Sequence, residues 1–130
     1  MAEKTMYEKG DETRRAVLGN DYVNAALARA KDDPFRKPLQ DYLVECCWGH
    51  VWTRPGLPRK IRSMINLAML TALDKPEELK AHVRGALNNG CTREEIAEVL
   101  LQATVYCGAP AGVNAFRHAA AVLDEIGGKG

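Results

Sequence analysis

The chain has 130 residues, 46% of them apolar and 27% charged, with a formal net charge of +1. That balance fits a single globular domain spanning residues 1–130 with its own core, and it offers no basic face for nucleic acid or an anionic membrane. No apolar run reaches the roughly 18 residues that cross a bilayer, and the polar start MAEKTMYEKGDETRR is unlike a signal peptide, so a cytoplasmic location is expected.

In chain order the sequence reads as helices separated by Pro/Gly punctuation, without strand-like alternation. Residues 9–18 form a first amphipathic helix that ends near Gly19. Asn20 or Asp21 caps a second, which runs to about Lys31 and is broken by Asp33-Pro34. A third runs from about Pro38 to Trp48 or beyond. The turn Arg54-Pro55-Gly56-Leu57 leads to Pro58, which opens a helix to about Leu73. The second half of that helix, NLAMLTAL, is apolar almost all round, as suits a central or subunit-interface helix. Pro76 opens the next helix and Gly90 sits just past its end. Thr92-x-x-Glu95 is a capping box opening a helix with Ile96, Val99, Leu100, Ala103 and Cys107 on one face. Gly108-Ala109-Pro110 stops it. The last helix runs from about Ala111 to Ile126, followed by a GGKG tail expected to fray.

Residues 76–90, PEELKAHVRGALNNG, hold the most chemistry. Leu79, Val83, Ala86 and Leu87 form an apolar stripe, His82 lies on its edge, and Glu78 lies one turn earlier on the same side. Histidine is the side chain whose ordinary pKa lies near neutrality, so this pair is the candidate acid–base unit. Arg54, Arg59, Lys60 and Arg62 cluster around Pro58. Cations at a helix start oppose the helix dipole, which suits either an anion site or a solvated basic turn. Trp48 and Trp52 flank Gly49 and either wall an apolar pocket for a flat ring or pack in a core or interface. His50, between them, suits a surface or interface role. Tyr106 offers a phenolic donor, or a packed aromatic with its hydroxyl in water. Cys46, Cys47, Cys91 and Cys107 contain no CxxC pair and read as reduced thiols. Cys46 and His50 share helical spacing but have no second ligand pair, so no metal site is expected.

At these residues the chain resembles the carboxymuconolactone decarboxylase family. The matching segments are VLGNDYV (17–23), WGHVWTRPGL (48–57), RKIRSMINLAML (59–70), ELKAHVRGALNNGCTREEIAEVLLQ (78–102) and YCGAPAGVNAF (106–116). The WGxxW-x-RPGL run is similar to the members of the protocatechuate branch of aromatic catabolism. The resemblance implies an all-α alkylhydroperoxidase D-like fold of about six to seven helices. It also implies a homo-oligomer, commonly a hexamer built as a trimer of dimers. Relatives with peroxidase chemistry carry CxxCxxxH. Here His82 stands at the histidine, while Glu78 and Lys75 stand at the cysteines, so their thiol chemistry is not expected.

The resemblance further implies conversion of 4-carboxymuconolactone to 3-oxoadipate enol-lactone and CO2. The lactone is its own electron sink, so no cofactor or metal is expected. In this reading His82 and Glu78 are catalytic. Arg54, Arg59, Arg62, Trp48, Trp52 and Tyr106 bind the dicarboxylate substrate. The alternatives are a family member acting on another lactone or carboxylic acid, a thiol-dependent antioxidant protein, and a non-catalytic oligomeric dicarboxylate-binding protein.

Overall fold

A computed structural model describes residues 2–127 of the chain. Those residues form an all-helical protein: α1 (Met6–Leu18), α2 (Asn20–Ala30), α3 (Lys37–Tyr42), a π-helical segment (Leu43–Val51), α4 (Arg59–Ala72), α5 (Pro76–Asn88), α6 (Arg93–Cys107) and α7 (Ala109–Gly127). There are no strands among the described residues. The chain divides into two compact units, Met1–Leu57 and Pro58–Gly130.

In the N-terminal unit α1 starts three residues earlier than the periodicity indicates. A capping box fixes the start: the Glu8 N–H donates to Thr5 Oγ1 at 3.1 Å, and the Thr5 N–H donates to Glu8 Oε1 at 2.9 Å. Gly19, at φ +89°, both ends α1 and begins α2. The expected side-chain cap on α2 is not made. Instead Asn20 and Asn24 accept hydrogen bonds from the Arg15 guanidinium at 3.2 and 2.7 Å. The third helix extends as expected, but its second part is wound as a π-helix, with the Trp52 N–H reaching back five residues to the Cys47 carbonyl at 3.0 Å. Winding of this kind is rare and favours functional sites.

The π-helical segment packs against α1 at very close range. A Cβ built on Gly10 would stand 1.8 Å from the Val44 carbonyl oxygen, and one on Gly49 would stand 2.6 Å from the Met6 carbonyl oxygen. Two glycines facing opposite backbones thus let these helices touch main chain to main chain. Val17, Val23, Val44, Trp48 and Trp52 are buried around this contact.

The C-terminal unit is built from α4–α7. Leu67, Leu79, Val83, Ala86, Cys91, Ile96, Leu100, Ala115, Ala119 and Val122 form one buried cluster. The stripe expected on α5 faces it, with Leu79 and Val83 almost wholly enclosed and Leu87 partly so. Pro76 occupies the first turn of α5, and Gly90, at φ +94°, follows its cap. The Thr92–Glu95 capping box is formed in both directions. Cys107 does not continue the buried face of α6 but is exposed at its end. Gly108, at φ +105°, makes the corner between α6 and α7, and α7 starts at Ala109, earlier than expected. Buried hydroxyls are satisfied within their own helices: Thr71 donates to the Leu67 carbonyl and Thr104 to the Leu100 carbonyl. The tail expected to fray lies outside the described residues, apart from Gly127 at the end of α7.

Candidate functional site

The candidate site residues divide between the two units. In the C-terminal unit α5 carries the titratable pair. Glu78 lies in its first turn and is exposed. His82 follows one turn later between the buried Ala81 and Val83, and its Nδ1 is enclosed. Burial pushes the His82 pKa from 6.5 down to about 4, and the negative field of Glu78 opposes that fall only in part. The imidazole is therefore neutral at physiological pH.

Arg59, Lys60 and Arg62 form the first turn of α4, where Pro58 is the cap. Lys60 is engaged by Glu95 at 2.9 Å, and this pairing raises the pKa of the lysine and lowers that of the carboxylate. Arg59 is exposed, and its carbonyl accepts from the Asn89 amide at 3.4 Å. The same amide donates to Ser63 Oγ at 2.9 Å. Arg62 is half-buried, with its Nε enclosed. Tyr106 is 81% exposed near the end of α6 and stands in solvent.

In the N-terminal unit Trp48 and Trp52 are buried and stacked on each other, their ring centroids 4.7 Å apart and their planes inclined by 20°. The Trp52 side chain hydrogen-bonds the Cys47 thiol, whose pKa is nevertheless pushed up by burial. Cys47 is thus a poor thiolate. His50 and Arg54 are exposed.

One residue of note escapes a reading by type and motif. Arg14 is only 4% exposed. It falls in the inward row Gly10, Thr13, Arg14, Val17, Leu18 of α1, all of which are buried. A cation within an amphipathic helix's core-facing row is the signal that marks it. Among the described residues, no group of three or more His, Cys, Asp and Glu side chains converges as a metal site.

A half-buried, neutral imidazole one helical turn from a carboxylate, on an all-helical scaffold, supplies groups that acid–base chemistry uses. The carboxymuconolactone decarboxylase family profile matches residues 37–125. The 4-carboxymuconolactone decarboxylase of Acinetobacter baylyi is 39% identical over 127 residues, covering 98% of this chain and 93% of that protein. The nitrosuccinic acid decarboxylase of Metarhizium robertsii is 40% identical over 127 residues, covering 98% of this chain and 87% of that protein. The chain belongs to the carboxymuconolactone decarboxylase family, and it is a carboxy-lyase.

Proposed function

We propose that the chain decarboxylates 4-carboxymuconolactone to 3-oxoadipate enol-lactone in protocatechuate catabolism, with His82 as the central catalytic group. The observation that carries the reading is the setting of His82: half-buried with its Nδ1 enclosed, neutral, and one helical turn from Glu78. As the carbon–carboxylate bond breaks, its electron pair moves through the ring alkene onto the lactone carbonyl oxygen. The resulting dienolate takes a proton on carbon, which gives the enol-lactone.

A neutral imidazole keeps an N–H to donate to that developing oxyanion. For His82 to deliver the proton as well, it must first be charged, and the carboxylates of a bound substrate raise its proton affinity. Glu78 orients the ring. Arg59 and Arg62, in the same unit as His82, hold carboxylate or lactone oxygens as bidentate donors. Tyr106 supplies a phenolic donor. The protein works in the cytoplasm as a homo-oligomer, a hexamer of three dimers, and acts on a small dicarboxylate without nucleic acid or membrane. No helix among the described residues is long and apolar enough to cross a membrane.

The near-equal identity to the nitrosuccinic acid decarboxylase supports a second reading. There a nitro group takes the electrons in place of the lactone carbonyl. Both reactions leave a carbanion beside an oxygen-bearing sink, so one scaffold suits both.

The test is turnover of freshly generated 4-carboxymuconolactone and of nitrosuccinate, followed by CO2 release without added metal or thiol. The lactone is expected to react far above its spontaneous rate, and His82→Gln to lower kcat by about 100-fold or more. Turnover of nitrosuccinate alone would move the assignment to the second reading. Unchanged turnover of the lactone by His82→Gln would remove His82 from the mechanism.

A further inference from the structure

Arg14 is a full positive charge placed almost completely out of solvent in the N-terminal unit. Its Nη1 donates to Gln40 Oε1 at 3.0 Å, and its Nε is buried without a hydrogen-bond partner. The acceptor it has is neutral. Asp11, one turn earlier on α1, is the carboxylate whose field reaches it; its Oδ2 is bonded to Arg15 Nε at 3.0 Å, and its Oδ1 is buried and, like Arg14 Nε, has no hydrogen-bond partner. Tyr7, Tyr22 and Cys47 are the other titratable groups acting on Arg14. A buried guanidinium with a neutral acceptor is unfavourable on its own, because such charges are normally paired.

The side chains acting on Arg14 are polar ones. Tyr7 and Gln40 are half-buried and Tyr22 is exposed, so the guanidinium lies just beneath a rim of polar side chains. Cys47 links it to the tryptophan stack, since Trp52 bonds the Cys47 thiol. A fixed cation beneath a polar rim suits a carboxylate.

We propose that Arg14 is the anchor of a carboxylate-binding site within the N-terminal unit, in which an anionic oxygen takes the place of Gln40 Oε1 and a second is held by Nε. Arg14 acts in binding, not in bond breaking.

The probe is adipate, an inert dicarboxylate, titrated calorimetrically into the intact protein. Arg14→Gln is expected to weaken adipate binding by at least about tenfold, the size of a lost charged hydrogen-bond pair. Because removing a buried arginine can also disturb folding, Gln40→Glu is the decisive variant. It places a carboxylate within 3.0 Å reach of Nη1 and keeps the side-chain size. The internal carboxylate is expected to occupy the guanidinium, raise the melting temperature and abolish adipate binding. Adipate binding to Gln40→Glu at the wild-type affinity, or none to the wild type, overturns the site.

Discussion

His82 joins stability to chemistry through a single quantity, its lowered pKa. Above pH 6.5 the imidazole is neutral in both the folded and the unfolded chain, so its contribution is constant. Between pH 6.5 and about 4 the unfolded chain binds a proton that the folded chain refuses, and stability falls as the pH falls. The gap corresponds to roughly 3 kcal/mol, most of it lost by pH 4.5. Over that window the lowered pKa values of Glu8 and Glu95 matter little, because those carboxylates give up stability only at lower pH. Urea unfolding at pH 7 and at pH 4.5 is expected to show this loss in the wild type and a much smaller one in His82→Gln. Equal losses in the two proteins would mean that His82 titrates normally. The Glu78–His82 pair was legible from spacing alone, since i and i+4 share a helix face. The depth of its burial was not legible, because that depends on the packing of α5 in its unit. Arg14 shows the same limit from the other side. Its inward position is written in the α1 pattern, yet arginine by type reads as a surface residue.

At the scale of elements, the contact between α1 and the π-helical segment rests on Gly10 and Gly49. A Cβ on Gly10 would meet the Val44 carbonyl at 1.8 Å, and backbone cannot step aside as a flexible side chain can. Gly10→Ala is therefore expected to destabilise the protein by about 1–3 kcal/mol or more, despite the better helix propensity of alanine. Gly56→Ala is the control, since a Cβ there meets nothing within 4 Å. A denaturant midpoint for Gly10→Ala at or above the wild type would show that the two helices do not need this approach. Helix identity was readable throughout from apolar spacing and from Pro76, Gly90 and the Thr92–Glu95 box. Periodicity places the start of α1 three residues late, although Thr5-x-x-Glu8 has the same form as the second box. The π winding was not readable. It follows from how the segment is held against α1, and nothing in LVECCWGHV distinguishes five-residue from four-residue bonding.

For the whole molecule the telling feature is apolar surface left uncovered. On α4, Ile61, Ile65, Met69 and Leu73 recur every four residues, and their exposure rises from 36% to 65% along the row. The opposite face of the same helix, Ser63, Leu67 and Thr71, is the one buried in its own unit. Leu101 and Val105 on α6 and Val113 and Phe116 on α7 add further exposed apolar area. A free monomer gains nothing from such rows, whereas an obligate assembly buries on the order of 2,000 Å² or more in each interface, rich in residues of this type. This is the surface that the all-round apolar sequence of α4 leads one to expect, and it supports the proposed homo-oligomer. Ile65→Lys with Met69→Lys places two charges in the middle of the α4 row, where an interface would desolvate them without partners. Sedimentation velocity is expected to show an assembly for the wild type and a smaller species for the double variant, with helical content by circular dichroism unchanged because neither side chain packs in the core. A wild type that sediments as a monomer would remove the assembly altogether. A variant that keeps the wild-type mass would move the interface from α4 to the exposed rows of α6 and α7.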